Sequence, residues 1–308
     1  IIACLLVLII TLIHVKNKNI SGKFQIGFTS IKLFLIIGFC LCAFTITPEP
    51  QPISFLPQKD DFKILTSTAF GISLIYVSYA YTGWNAAVYI TSELERPQKE
   101  LPKILLIGTA TVMVLYLLLN IAFLYSSPIA DLEGKTEIGY IAAVNIFGSN
   151  GAAIVGLMLS LLLISTVSAM IIAGPRALQA IGEDFNSLSF LSKVNKSDIP
   201  ENAIYFQSII SLIYIFTSSF EKIIIFAGMI LALNSFLAIL GVFVLRRKEP
   251  DLIRPYKTFG YPFVPAFYLI ITFIMIAMAA ANAPLSALGS ITIIIVGVIF
   301  YRHFENSK

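Results

Sequence analysis

The sequence predicts an all-α integral membrane protein, and three observations carry that prediction: composition, the length of the apolar runs, and the side on which the basic residues fall. Of the 308 residues, 57% are hydrophobic and 12% charged, with a mean hydropathy of +0.88. That is more apolar surface than one soluble core buries, so lipid must solvate much of it. A bilayer offers no hydrogen bonds to backbone amides, which leaves helices or closed barrels as spanning structures. Barrel strands would alternate in character over about ten residues, and the apolar runs of this chain do not alternate.

Nine such runs can be placed, at residues 1–15, 24–46, 68–92, 103–125, 151–175, 203–219, 222–245, 262–282 and 284–302. Most approach the ~20 residues a helix needs to cross about 30 Å of hydrocarbon. The first opens on IIACLLVLIITLI with no initiator Met and no positive flank. It resembles neither a signal peptide nor a natural start, which points to a longer parent sequence, a bare first helix being the alternative. The second run holds Lys32 and the third a cluster of polar and aromatic residues. The fifth holds Ser165, Thr166 and Ser168, while the others are mostly Leu, Ile and Phe. Between the fourth and fifth runs, Asp131-Leu-Glu-Gly-Lys precedes an amphipathic stretch, 138–147, expected to be a short interfacial helix.

Short loops rich in Lys and Arg mark the cytoplasmic side. One set of alternate loops carries sixteen of the 21 basic residues, the opposite set carries Lys59, Lys63, Lys135 and Lys222, and Lys32 lies inside a span. This asymmetry places the C-terminus in the cytoplasm of a multi-pass protein of the cell inner membrane. The net charge of +4 therefore reflects topology and not nucleic acid. Cys4, Cys40 and Cys42 all fall in spans, so no disulfide framework or metal cluster is indicated. His14 and His303 lie at helix ends without metal-like spacing and are assigned no role. There is no P-loop pattern, no HExxH and no nucleophile elbow, so the sequence implies neither an enzyme nor a cofactor.

The third run reads Tyr76-Val-Ser-Tyr79-Ala80-Tyr81-Thr82-Gly83-Trp-Asn85-Ala-Ala-Val-Tyr89. A Gly beside a Thr weakens a helix at mid-membrane, and a break is tolerated there only where freed backbone groups line a polar cavity or meet a ligand. The alternative is that Gly83 simply lets two helices approach closely, with the aromatics as packing. Glu93-Leu-Glu-Arg96-Pro97-Gln-Lys99-Glu-Leu-Pro102 then forms a charged, proline-marked turn between helices.

The stretch YAYTGWNAAVYITSELERPQKELPKILL resembles the sixth helix, following loop and start of the seventh helix of amino acid permeases of the amino acid, polyamine and organocation superfamily. AGPRALQAIGEDF resembles the loop after their eighth helix, and LRRKEPDLIRPYKTFGYPFVP the loop joining their tenth and eleventh. The resemblance implies an inverted-repeat transporter fold of five plus five helices, with the nine runs falling on family helices four to twelve and helices one to three absent. The chain would then be one permease domain, incomplete at its N-terminus. Residues 1–66 would be the remainder of the first repeat, 67–247 the second inverted repeat, and 248–308 the last two helices.

The same resemblance implies residue roles. Carbonyls around Tyr79, Ala80 and Tyr81 would accept a substrate ammonium at the negative end of a half-helix. Thr82 and Gly83 form the break, Gly83 keeping the side-chain pocket open. Asn85 would bind the substrate or a neighbouring backbone, and Tyr79 stands at a gating position. Glu93 and Arg176 fall where an ion pair could close the inner gate, merely solvated charges being the alternative.

Lys32 lies about two turns inside its span, where a charge is costly and functional by default. Snorkelling of its long stem to the interface is the other reading. The resemblance implies that such a lysine stands where sodium-coupled relatives bind a cation, and an amine held out of water can exchange a proton. Hydroxyls of Ser165 and Ser168, one turn apart on the fifth run, would hydrogen-bond that amine, or else bond back to their own helix. Arg246, Arg247, Lys248, Arg254 and Lys257 look like topology determinants that meet anionic headgroups. The reading is an amino acid transporter working by alternating access, coupled to protons or exchange and not to sodium. The absence of an acidic residue at mid-membrane favours neutral substrates. A transporter-like sensor and an inactive fragment are the alternatives.

Overall fold

The computed structural model describes residues 2–16, 20–57, 59, 61–89, 91 and 94–305, and among these every regular element is helical. In chain order they are α1 (Ile2–Lys16), α2 (Ile20–Ile46), α3 (Asp61–Leu65), α4 (Thr68–Ala80), α5 (Ala86–Tyr89), α6 (Pro97–Ser126), α7 (Ile129–Leu132), α8 (Ile138–Asp184), α9 (Glu201–Thr217), α10 (Phe220–Lys248), α11 (Phe263–Asn282) and α12 (Pro284–Glu305). A short 3-10 helix, Asn186–Leu191, lies between α8 and α9. Eight of the nine apolar runs are helical across almost all of their described residues, and the third, 68–92, is split between α4 and α5. Among the described residues, six helices are long and apolar enough to cross a membrane: α2 from Gly27 onward, α6, α8, α10, α11 and α12. The chain is a multi-pass membrane protein.

Three of the apolar runs form shorter helices, α1, α4 and α9, with 15, 13 and 17 residues. In α4 the cause is local, because the third run is split and its remainder appears as the single turn α5. The proline-marked turn behaves as expected but ends sooner, with α6 starting at Pro97, where proline suits a first turn and Glu100 meets the positive helix end. The amphipathic stretch 138–147 is helical. Gly148, at φ 69° and ψ 176°, interrupts α8 directly after it.

One expectation is corrected. AGPRALQAIGEDF was expected to be a loop, yet α8 continues through Pro175 to Asp184. A proline inside a helix removes one hydrogen bond, and in a membrane helix neighbouring side chains can answer the disturbed backbone. The carbonyl that loses its helical donor is that of Ile171, and one residue before it Gln207 Nε2 of α9 donates to the Met170 carbonyl at 3.1 Å. Gln207 can reach because Gly174 has no side chain, since a Cβ there would collide with the Gln207 amide. Arg176 therefore sits, half-buried, within a helix.

Packing divides the chain into two compact units. One comprises Ile1–Leu56 with Gly108–Leu212, the other Pro57–Ile107 with Ile213–Lys308. In the first, α8 packs on α1 and α2. Ile10, Val15, Ile171, Ile199 and Ile204 form one apolar cluster, and Cys40, Ala43, Ala122 and Ile146 another.

In the second unit α4 packs against α10 and α11 around Ile75, Met229 and Met275. Two glycines set that closeness. A Cβ on Gly71 would strike the Met278 Cβ and come 3.0 Å from the Ala279 nitrogen, while one on Gly228 would lie 2.7 Å from Ile75 Cγ2. Beyond α10, Arg254 donates to the carbonyls of Leu245, Glu249, Pro250 and Leu252. Arg246 lies 3.7 Å over the Tyr261 ring. Two of the five basic side chains expected to meet headgroups thus hold the chain's own turn together.

Candidate functional site

In the second unit the site is built on the interruption between α4 and α5. Ser67 caps α4, its hydroxyl accepting from the Phe70 amide. The helix then closes over Tyr81, whose N–H donates to the Val77 and Ser78 carbonyls at 3.2 Å, with φ −89° and ψ 0°. The next residue turns the chain back. Thr82 donates to the Tyr79 carbonyl twice, from its N–H at 3.0 Å and from Oγ1 at 2.6 Å. Gly83 follows at φ +105°, and helical bonding resumes when the Ala87 and Val88 amides donate to Trp84 and Asn85.

This geometry separates the two readings of Gly83 on physical grounds. A close-approach glycine has atoms where its side chain would be, as Gly71 and Gly228 do. A Cβ on Gly83 would meet nothing within 4 Å. Its positive φ, which an L side chain adopts only with strain, is what requires glycine there. Tyr79, Ala80, Tyr81, Thr82, Gly83 and Asn85 thus share one non-helical turn and its rim. Both lone pairs of the Tyr79 carbonyl are occupied by Thr82.

In the first unit the fifth run supplies a turn of hydroxyls on an unbroken helix. Lys32 Nζ of α2 donates to Thr166 Oγ1 at 2.9 Å, and Thr166 in turn donates to the Leu162 carbonyl at 3.1 Å. Ser168 Oγ shares a hydrogen bond of 2.8 Å with His14 Nε2 of α1. Ser165 is fully buried, and its hydroxyl has no hydrogen-bond partner among the described residues. Lys32 therefore does meet a hydroxyl of this helix, but it is Thr166 and not Ser165 or Ser168.

His14, which the sequence left without a role, is the partner of Ser168. One turn earlier on α1, Thr11 Oγ1 and Ser208 Oγ of α9 share a bond of 2.8 Å. The available signal was spacing: Thr11 and His14 interrupt an otherwise apolar run three residues apart, hence on one helix face. Glu93 lies outside the described residues, and Arg176 lies on α8 two turns beyond Ser168.

Residues 1–300 match the family model described as "Amino acid permease". The chain belongs to the amino acid permease family. It is 26% identical over 310 residues to the rat b(0,+)-type amino acid transporter 1, covering 97% of this chain and 61% of that protein. It is 24% identical to the serine/threonine exchanger SteT of Bacillus subtilis, across 100% of this chain and 70% of SteT. Identity is also 24% to the branched-chain amino acid permease BcaP of Lactococcus lactis, over 86% of this chain and 57% of BcaP. The permease chain thus spans about 61% of the length of the rat relative it matches.

Proposed function

We propose that this permease works in secondary active transport of amino acids across the cytoplasmic membrane by alternating access, with its C-terminus on the cytoplasmic side. The observation that carries the reading is the unwound turn 81–85 at Gly83, φ +105°, in a family of this kind. Broken helices in transporters present backbone groups to a substrate without leaving polar atoms against lipid. In this reading Ala80, Tyr81 and Asn85 contact the amino acid's polar atoms. The Tyr79 carbonyl joins them when Thr82 lets go of it, and Gly83 keeps the side-chain pocket open. Tyr79 gates the site, and Glu93 with Arg176 closes the cytoplasmic mouth. Residues 67–247 form the second inverted repeat. The substrate class is a neutral amino acid, in keeping with the serine/threonine and branched-chain names of two relatives.

Coupling runs through Lys32. Its amine, hydrogen-bonded to Thr166, carries a positive charge that a metal cation would otherwise supply, so transport proceeds by proton movement or exchange without sodium. The test is counterflow of radiolabelled amino acids by the full-length protein in proteoliposomes. Saturable counterflow without sodium is expected, whereas its absence from correctly folded protein would leave a sensor or an inactive chain. Lys32→Ala is expected to abolish the dependence of uptake on external pH, and retention of that dependence would remove the coupling role. A charge-swapped Glu93→Arg, Arg176→Glu pair that rescued neither single variant would count against the gate.

A further inference from the structure

Three features of the first unit converge on one turn of α8. Thr166 holds the Lys32 amine, Ser168 holds the His14 imidazole, and Ser165 between them is fully buried with no partner among the described residues. A helix advances about 100° per residue. Ser165 therefore projects about 60° to one side of Ser168 and about 100° to the other side of Thr166, on the surface that joins them. A buried hydroxyl without a hydrogen bond destabilises the fold unless something satisfies it, and each such group in a native protein has a reason. Here it stands between two nitrogen bases that can each carry a proton, both inside apolar helices where ionisable groups are rare and functional.

We propose that His14 is the second proton-carrying group of the transport cycle, linked to Lys32 across this turn by a water seated on Ser165. The inference rests on the coupling role of Lys32. In the transfer, the Lys32 ammonium loses a proton to the water, the water passes one to Ser168, and Ser168 delivers its own hydroxyl proton to His14 Nε2. One N–H bond breaks at Lys32 and one forms at His14, so an ammonium is exchanged for an imidazolium with no net change of charge. His14 lies in the last turn of α1, two residues from Lys16, and so leads away from the mid-membrane toward the helix end.

The groups that meet α1 around His14 are uncharged: Ser168 from α8, Ser208 from α9, and the Asn195 amide on the Val15 carbonyl. The charged side chains flanking them along the chain are Lys16, Arg176, Lys193, Lys196, Asp198 and Glu201. An imidazole is suited to the task because its unperturbed titration lies within the pH range in which cells hold proton gradients.

The test is uptake and counterflow by the full-length protein in proteoliposomes at about pH 5.5 and about pH 7.5, spanning the usual histidine range. His14→Gln keeps a hydrogen-bonding group for Ser168 but cannot carry the proton. It should bring the uptake ratio between the two pH values toward unity, while counterflow at equal pH, which needs no net proton movement, persists. Ser168→Ala should flatten the profile in the same way, and Ser168→Thr should restore it. Ser165→Ala should reduce the solvent deuterium isotope effect on uptake.

If Lys32→Ala flattens the profile and His14→Gln does not, the relay falls and the coupling reading stands. If Lys32→Ala leaves the profile intact, the coupling reading falls and the relay with it. Loss of counterflow in His14→Gln, with amino acid binding still raising its thermal stability, would assign His14 a structural role and overturn the proposal.

Discussion

Polar groups enter the apolar helices of this permease in two different ways. At Gly83 the backbone itself becomes polar: the helix stops, its amides and carbonyls are re-paired locally, and the chain restarts in α5. At residues 165–168 the helix is unbroken, and the polarity comes from side chains that reach other helices. A broken backbone can present several dipoles to a ligand at once, and whatever replaces them must fit their geometry. A hydroxyl on an intact helix offers one exchangeable bond to one partner. The first arrangement suits recognition of a zwitterion, the second the handling of single protons.

The comparison is tested most severely by the glycines, because the same residue type does opposite work in one unit. Gly71→Val should show the largest effect. Its Cβ would overlap Met278 and crowd the Ala279 backbone, so overpacking of about 3 kcal/mol is expected, read as loss of folded, monodisperse protein in detergent. Gly83→Ala meets no atom and should leave the thermal midpoint nearly in place. It imposes a side chain on a φ of +105°, and strain of roughly 1–2 kcal/mol borne by the site should lower uptake by about tenfold or more. If Gly83→Ala instead unfolded the protein while Gly71→Val left it stable, the division between a packing glycine and a conformational one would be wrong.

Thr82→Val sharpens the same region. It deletes the hydroxyl bond to the Tyr79 carbonyl and keeps the backbone bond, a loss of about 1 kcal/mol. If that carbonyl serves the substrate only when Thr82 releases it, the variant should bind amino acids more tightly, by up to about fivefold for a bond of that size. Weaker binding in isothermal titration would show that the hydroxyl acts in recognition and not in restraint.

These contrasts mark what the chain discloses when read as text. The break was legible because Gly83 adjoins Thr82 inside a polar cluster, a composition that lipid does not tolerate without reason. Gly71 and Gly228 stand in plain apolar sequence, and only the positions of α10 and α11 reveal what they do. AGPRALQAIGEDF resembled a loop, but α8 runs on through Pro175, and the side chain that meets it there, Gln207 on the Met170 carbonyl, lies 32 positions later and depends on tertiary structure. The hydroxyl turn was half legible. That Lys32 would meet the fifth run was implied by the resemblance to the permeases, with bonding of the hydroxyls to their own helix as the alternative, whereas the choice among Ser165, Thr166 and Ser168 depends on how α8 is rotated about its axis, which no local pattern fixes. The pairing of Ser168 with His14 lay across 154 positions of sequence, and the i, i+3 spacing of Thr11 and His14 was the one local trace of it.

That trace yields the smallest expected effect and the finest discrimination. Thr11 and Ser208 have one hydroxyl hydrogen each, so one donates across while the other donates to its own helix, and each has a carbonyl of its own helix in reach, Val7 at 2.7 Å and Ile204 at 2.8 Å; neither hydroxyl is left bare when the other is removed. Thr11→Val and Ser208→Ala should each be mild, and their double-mutant coupling should be about 0.6 kcal/mol, typical of hydrogen bonds between membrane helices. Among the described residues His14 and Ser168 have no second bond of that kind, so the corresponding cycle with His14→Leu and Ser168→Ala should give a larger coupling, above about 1 kcal/mol. Equal couplings at the two positions would make the His14 bond one more structural tie between α1 and its neighbours. A clear excess at His14 would set that contact apart as the one whose partners have no alternative, which is the property a proton-bearing pair on an intact helix requires.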